Sequence, residues 1–166
     1  HQTILWNGLR DGFIQTVATD HAPFDAATQK PMGAADFTKI PNGIPSLEER
    51  VVLLYTHGVK AGRIDLHTFV DVASTRAAKT FGLFPRKGTI QLGADADLVV
   101  FDPQAHHTIR ARDQAMNVDY SAFEGWACQG RPTDVTVRGK VMVRNGSYVG
   151  RPGHGRFLQR VPRPTQ

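Results

Sequence analysis

The segment from Thr16 to Phe24, with the sequence TVATDHAPF, contains the side chains whose types and order are best suited to chemistry. An apolar, β-rich stretch ends abruptly at Asp20 and is followed by His21 and by Pro23, and a proline cannot continue a strand. Barrel enzymes place carboxylates at the C-terminal ends of buried strands, because the loops there converge on the substrate. The ordinary alternative is that Asp20 caps a loop or a helix. Asp20 is therefore a candidate catalytic residue.

A second candidate site is the turn Pro41-Asn42-Gly43, at the end of the run DFTKIPNG. Proline fixes φ, while Asn and Gly tolerate positive φ, so these residue types predict a turn. Such a turn exposes backbone N–H and C=O groups that no sheet uses, and these groups can bind a small polar ligand. The alternative is an ordinary surface turn.

Several motifs together resemble the dihydropyrimidinase/hydantoinase branch of the cyclic amidohydrolases. The first two are TDHAPF at 19–24 and DFTKIPNG at 36–43. The others follow in the same order: STRAAKTFGLF at 74–84, KGT at 87–89, GADADLVVFD at 93–102 and YSAFEG at 120–125. Because these motifs cover nearly the whole chain, it is identified as a member of this branch.

The resemblance implies an α/β fold, namely the C-terminal part of a (β/α)8 TIM-barrel amidohydrolase and part of the flanking β-sandwich domain. Residues 1–86 would supply the last barrel strand, the substrate loop and the following helices, and residues 87–150 would supply sandwich strands. Residues 151–166 would form a basic tail that contacts a neighbouring subunit. Members of the branch are much longer, so the chain is expected to be a C-terminal third that is inactive and only marginally stable alone.

The same resemblance implies a binuclear zinc site. Members of the branch hold two zinc ions with an early His-x-His, two later histidines and a carboxylated lysine. The seven histidines here include no His-x-His pair, so most ligands and the bridging lysine are expected outside this chain. Asp20 matches the aspartate that ligates the more exposed zinc, acts as a base toward the hydroxide and then protonates the leaving ring nitrogen. Asn42 matches the residue whose backbone groups hold the ring imide.

The activity implied is hydrolysis of the ring amide of a 5,6-dihydropyrimidine or a 5-substituted hydantoin to an N-carbamoyl amino acid. Dihydroorotases share the Thr-Asp-His-Ala-Pro stretch but continue with a His where Phe24 stands here, and allantoinases also match less well. A non-enzymatic scaffold or assembly module of the collapsin-response-mediator type is the alternative from another class. Those proteins lack an acid at the position of Asp20 and lack the Pro-Asn-Gly turn.

Four other side chains in or near the motifs are expected to have structural roles. His21 should point away from the face that carries Asp20, because side chains alternate along a strand, and a packing role is favoured over metal binding. Trp126 and Phe123 are expected to fill a core or an interface. Lys39 is expected to be a solvated loop residue, and the single cysteine, Cys128, a buried thiol.

The order of elements predicts helices first and strands later. Apolar spacing over residues 4–9 predicts the end of a helix, residues 13–19 a strand and residues 24–44 a long loop. Ser46 and Glu49 predict a capping box for a helix that stops at Gly58, and Asp65 predicts the cap of a helix that ends near Gly82. Short strands are predicted at 89–92, 97–101, 134–138 and 140–144, with Asn145-Gly146 as a type I′ hairpin turn. The domain boundary is expected near residues 85–88.

Composition excludes several classes of partner. The 166 residues are 40% hydrophobic and 21% charged, and no apolar run approaches the length of a membrane span. The net charge of +5 is concentrated in a Pro/Gly-rich tail whose arginines accompany no nucleic-acid-binding motif. The expected partners are therefore a small cyclic amide, the remainder of the enzyme and further copies of it in a cytoplasmic homotetramer, without nucleic acid or membrane.

Overall fold

The computed structural model describes residues 1–160, which form an α/β arrangement with helices in the first half and one antiparallel sheet in the second. The predicted tail residues 161–166 lie outside the described residues. Helix α1 spans Gln2–Arg10 and confirms the helix predicted there. The other helices are α2 (Arg50–Leu54), α3 (Leu66–Val70) and α4 (Arg76–Thr80). Within residues 1–160 no helix combines the length and apolarity that crossing a membrane requires.

Both longer helical segments contain π-helical turns. Helix α2 continues directly into a π-helical stretch, Tyr55–Lys60, so the helix passes the stop predicted at Gly58. A second π-helical stretch, Asp71–Thr75, joins α3 to α4. The predicted cap of α3 is confirmed, because the Asp65 carboxylate accepts a hydrogen bond from the Thr68 N–H at 2.7 Å.

The capping box predicted before α2 is wrong. The Ser46 hydroxyl donates instead to the carbonyl oxygen of Thr19 at 3.0 Å, and the Glu49 carboxylate accepts from the Ser121 hydroxyl at 2.7 Å. Both side chains have partners far away in the sequence, and the helix begins only at Arg50. Tertiary hydrogen bonds have therefore replaced the local reciprocal pair that the sequence pattern predicts.

The predicted strand at residues 13–19 is also not formed in the part of the chain that the structure describes. A strand needs a neighbour with which to share a hydrogen-bond ladder, and no strand lies beside this segment among residues 1–160. Its Val17 N–H donates instead to the carbonyl oxygen of Val72 at 3.1 Å. The next residues form a single parallel bridge between His21 and Ile44.

The sheet has four antiparallel strands in the order β1-β2-β3-β4. These strands are β1 (Val99–Thr108), β2 (Ala127–Val137), β3 (Lys140–Arg144) and β4 (Ser147–Tyr148). Asn145 and Gly146 have φ values of +50° and +77°, and Arg144 pairs with Ser147 across them. The type I′ hairpin is therefore confirmed. The strand predicted at 89–92 is wrong, because these residues form bends and a turn with Ile90 and Leu92 exposed.

Helix α2 and strand β2 share a core. Val52 on the helix packs with Ile109 and Cys128 in one buried cluster. Just beyond α2, the Thr56 hydroxyl donates to the carbonyl oxygen of Gln129 at 3.0 Å and accepts from its N–H at 3.1 Å. Cys128 is only 3% exposed and burial raises the pKa of its thiol, as expected for a buried structural cysteine.

Gly130 shows how closely the helical half approaches the sheet. A Cβ atom at this position would lie 2.6 Å from Cδ1 of Tyr55 and 2.7 Å from Cε1 of Phe101. Gly125 has a similar positive φ, +82° against +84°, but a Cβ atom there meets nothing within 4 Å. A residue substituted at either glycine would therefore have similar backbone strain, but only at Gly130 would its Cβ atom clash with neighbouring side chains.

We expect Gly130→Ala to lower the free energy of unfolding by about 1–3 kcal/mol more than Gly125→Ala, because only the first change overpacks the interface. Urea unfolding of the complete protein and of both variants measures this difference. Equal destabilisation by the two substitutions would contradict the close packing of Tyr55 and Phe101 on Gly130.

Candidate functional site

Asp20 has an uncommon backbone conformation. Its φ is +47°, in the left-handed region that Asp tolerates better than most residues, and its side chain is exposed. The chain is held on both sides of Asp20: the Thr19 carbonyl accepts from the Ser46 hydroxyl, and two residues after Asp20 the Ala22 N–H donates to the Ile44 carbonyl at 3.3 Å. Residues held in such uncommon backbone conformations by their surroundings cluster at functional sites.

His21 binds the chain at the approach to α2. Its Nδ1 atom accepts hydrogen bonds from the N–H groups of Ser46 at 3.1 Å and Leu47 at 3.3 Å. An acceptor at Nδ1 assigns the ring proton of the neutral imidazole to Nε2. The contacts agree with the packing role expected for this residue. They also connect the Asp20 segment to the residues that precede the helix.

Pro41, Asn42 and Gly43 form neither a turn nor a bend, contrary to the sequence prediction, and this Pro-Asn-Gly segment packs directly against the residues that follow Asp20. Gly43 has φ +125°, and a Cβ atom there would overlap Ala22, so the approach requires glycine. Lys30 donates from Nζ to the carbonyl oxygens of Pro41 and Gly43, both at 2.6 Å. Asn42 lies between these two carbonyls and is exposed. The structure thus brings the two predicted site segments together through Ala22.

The loop that joins the two segments is held from the sheet half of the chain. The Asp119 carboxylate accepts from the N–H groups of Ala26 at 2.6 Å and Ala27 at 2.8 Å. These two hydrogen bonds lower the pKa of Asp119 below its usual range. Two residues further on, Ser121 donates to Glu49, whose side chain is fully buried. Elements from opposite ends of the chain therefore shape the loop.

Sequence reasoning missed Lys30 and Asp119. Lys30 lies in a run without an apolar pattern, and Asp119 precedes the YSAFEG motif by one residue. Neither residue type has a distinctive spacing, because their partners are backbone groups rather than side chains. The proximity of Asp119 to a family motif was the available signal.

Phe123 is partly buried, whereas Trp126 is 46% exposed and therefore does not fill a core among the described residues. The rings of Phe123 and Trp126 stack edge to face with centroids 5.3 Å apart, and Phe123 packs on the core that contains Cys128. Lys39 is solvent-exposed and pairs with Asp36 at 3.5 Å.

An apolar groove of about 560 Å³ lies between α1 and α2. Trp6, Leu54 and Trp126 line this groove, but Asp20 and Asn42 do not. The buried Nε2 atom of His57 and Nε atom of Arg50 lie along it without hydrogen-bond partners among the described residues. The groove borders the candidate site, because Thr19 and Ile44 line it, while Asp20 and Asn42 lie outside it.

Asp20 brings oxygen-donor chemistry to the site. Exposed carboxylate oxygens are suitable ligands for a divalent cation such as zinc. Within residues 1–160 no group of three or more His, Cys, Asp and Glu side chains is arranged to hold a metal ion.

The sequence model of the amidohydrolase family matches residues 1–142. The chain is 52% identical over 161 residues to D-hydantoinase of Geobacillus stearothermophilus, a match covering 97% of this chain and 34% of the relative. It is 48% identical over 157 residues to D-hydantoinase of Ralstonia pickettii, covering 95% of this chain and 34% of that protein. The chain thus spans about a third of the length of the curated relatives it matches.

Solved structures agree with these relatives. The structure of D-hydantoinase (dihydropyrimidinase) from Thermus sp. superposes with a TM-score of 0.94 at 60% identity, covering 96% of this chain and 35% of that one. The structure of dihydropyrimidinase from Brevibacillus agri NCHU1002 gives a TM-score of 0.95 at 48% identity, covering 98% of this chain and 36% of that one. The chain belongs to the amidohydrolase family, and its predicted resemblance to the dihydropyrimidinase/hydantoinase branch is confirmed.

We expect Asp119→Asn to speed amide hydrogen exchange at Ala26 and Ala27, because the charge that strengthens both hydrogen bonds is lost. Exchange in the complete protein, followed by mass spectrometry on a peptide covering residues 24–29, measures this effect. Since the folded pKa of Asp119 is lowered, the anchoring is fully present above its ordinary pKa and is lost as the pH falls through the folded value. Asp113→Asn removes a carboxylate that pairs with Arg112 and serves as the control. Equal exchange in both variants would contradict the anchoring role.

Proposed function

We propose that this chain is a segment of a longer zinc-dependent enzyme that hydrolyses the ring amide of dihydropyrimidines or 5-substituted hydantoins. The observation that carries the proposal is the contact of Gly43, in the Pro-Asn-Gly segment, with Ala22, two residues after Asp20. The Asp20 carboxylate and the Asn42 N–H and C=O groups, which take part in no sheet, then belong to one surface. Relatives covering nearly all of this chain are named D-hydantoinase, which supports the same conclusion.

The proposal includes an assignment of each part of the chain to a domain of the complete enzyme. Residues 1–86 are assigned to the end of a TIM barrel, with residues 13–19 as its last strand once neighbouring strands are present. Residues 87–150 are assigned to a flanking sandwich, supported by the antiparallel sheet β1-β2-β3-β4. The tail from residue 151 is assigned to a subunit contact, supported by Phe157, which is 93% exposed, and the assembly is assigned as a cytoplasmic homotetramer.

Opening a ring amide requires a strong nucleophile and a proton for the leaving nitrogen. A bound zinc pair lowers the pKa of coordinated water to near 7 and so supplies hydroxide at neutral pH. In this proposal Asp20 would be one zinc ligand, and the remaining ligands, among them a carboxylated lysine, would belong to the rest of the enzyme. The Asp20 carboxylate accepts the proton released as the nucleophile attacks the carbonyl carbon, and it returns that proton to the ring nitrogen as the C–N bond breaks.

Asn42 holds the substrate through its main chain. Neither its N–H nor its C=O forms a hydrogen bond within residues 1–160, so both are available to a ligand. A ring imide presents an acceptor beside a donor, which matches a peptide C=O beside an N–H. Two such bonds fix the ring orientation and place the scissile amide for attack.

Phe24 favours this substrate class over dihydroorotate. The side chain packs under the Lys30 ammonium group, 5.4 Å from ring centroid to Nζ, so it belongs to the loop scaffold. The resemblance places a substrate-binding histidine at this position in dihydroorotases. A non-enzymatic scaffold is the alternative that the following substitution tests.

We expect Asp20→Ala in the complete enzyme to lower kcat for dihydrouracil and hydantoin by about 10²-fold or more, because an acid–base group contributes at least that much. The fold should survive, since the side chain is exposed. Steady-state hydrolysis, thermal unfolding and zinc content by elemental analysis measure the effect, with Asp113→Ala as the control. Retention of more than about a tenth of kcat would rule out this role for Asp20.

We expect Asn42→Gly to retain most activity, because the proposed contacts use the main chain. An added glycine costs about 0.5–1 kcal/mol of backbone order, which corresponds to at most about a fivefold loss in kcat/KM. The same hydrolysis assay measures this loss. A complete loss of activity would assign the contact to the amide side chain instead.

A further inference from the structure

We infer that Lys30 is a positioning residue for the substrate. It aligns the main chain of Asn42 with the substrate ring and strengthens the hydrogen bonds that this main chain makes to the ring. The inference rests on the function proposed above and adds a residue that does not itself touch the ring. It starts from the two hydrogen bonds that the Lys30 ammonium group donates to the carbonyl oxygens flanking Asn42, each 2.6 Å long.

The two bonds fix the peptide group that precedes Asn42 and the one that follows Gly43. The Pro41 carbonyl belongs to the same peptide group as the Asn42 N–H, and the Gly43 carbonyl belongs to the peptide group it forms with Ile44, one residue further along. Hydrogen bonds from a charged donor are shorter and stronger than neutral ones. With both carbonyls held by one nitrogen atom, the Asn42 main chain has little freedom to turn away from a bound ring.

The charge of Lys30 also makes the Asn42 N–H group a stronger hydrogen-bond donor. A cation at the Pro41 carbonyl oxygen polarises that peptide group, so the N–H of Asn42 becomes a better donor. No carboxylate lies within ion-pair distance of Lys30 among the described residues. Its charge is instead directed to the two carbonyls and to the face of Phe24. The lysine therefore acts on the Pro-Asn-Gly segment without a competing anion.

Lys30 is itself held in place. Its N–H donates to the Asp25 carbonyl at 2.9 Å, and the Asp25 N–H donates to the side chain of Gln29 at 2.7 Å. The adjacent amides of Ala26 and Ala27 are bound by Asp119. Fixing the base of the side chain in this way reduces the freedom lost when the ammonium group binds the Pro-Asn-Gly segment.

The test compares Lys30→Met, which removes the donor and the charge at similar length, with Lys30→Arg and Lys30→Gln in the complete enzyme. Lys39→Met is the matched control, because Lys39 lies in the same loop but is exposed and pairs only with Asp36. Steady-state kinetics with dihydrouracil and hydantoin are combined with zinc content and thermal unfolding.

We expect Lys30→Met to raise KM about tenfold or more, the scale of losing a charged hydrogen bond, while kcat changes by less than about threefold. Lys30→Arg should have a KM close to that of the wild type, because it keeps the charge. Lys30→Gln keeps a neutral donor, so its KM should lie between those of Lys30→Arg and Lys30→Met. Lys39→Met should leave both constants unchanged. A lysine that only stabilised the fold would lower the unfolding temperature without this separation of KM from kcat.

An unchanged KM in folded Lys30→Met or Lys30→Gln would overturn the inference, as would a loss confined to kcat. If Lys30→Met fails to fold, Lys30→Gln decides the question. Wild-type enzyme that hydrolyses neither substrate would overturn the proposed function, and the inference with it. An active wild type with an unaltered KM in the variants would overturn the role of Lys30 alone.

Discussion

The hydrogen bonds from the N–H groups of Ser46 and Leu47 to Nδ1 of His21 hold two distant parts of the chain in register. They hold the Asp20 segment against the residues that lead into α2. The bridge between His21 and Ile44, the Ser46–Thr19 hydrogen bond and the contact of Gly43 with Ala22 join the same two segments. Without the imidazole acceptor, the Ser46 and Leu47 amides before the helix would lack this partner.

Between those ends the loop is organised by charges acting on the main chain. Lys30 binds two carbonyls and Asp119 binds two N–H groups, so a cation and an anion each satisfy a pair of backbone groups. A long loop has few ladder hydrogen bonds, and each buried or half-buried polar group in it needs another partner. Charged side chains supply these partners and leave Asn42 available to a ligand.

The sheet half contributes to the site through its connections rather than its strands. Asp119 and Ser121 lie between β1 and β2 and reach the loop and Glu49. The Thr56–Gln129 hydrogen bonds and the packing around Gly130 hold strand β2, which follows this connection, against the helical segment that begins with α2. A site on residues 20–43 therefore depends on residues about ninety positions later, as the separation of 93 between Ala26 and Asp119 shows.

The sequence by itself determined the features whose partners lie within a few residues. The Asp65 cap, the Asn145-Gly146 turn and the helix at 2–10 follow from local chemistry, and the order of motifs identified the family. Tertiary structure decided the rest: Ser46 and Glu49 bind partners 27 and 72 residues away instead of each other. Segments 13–19 and 89–92 have β-rich residues but no neighbouring strand among the described residues. Lys30 and Asp119 bind backbone groups, which every residue carries, so no pattern of residue types could specify their partners.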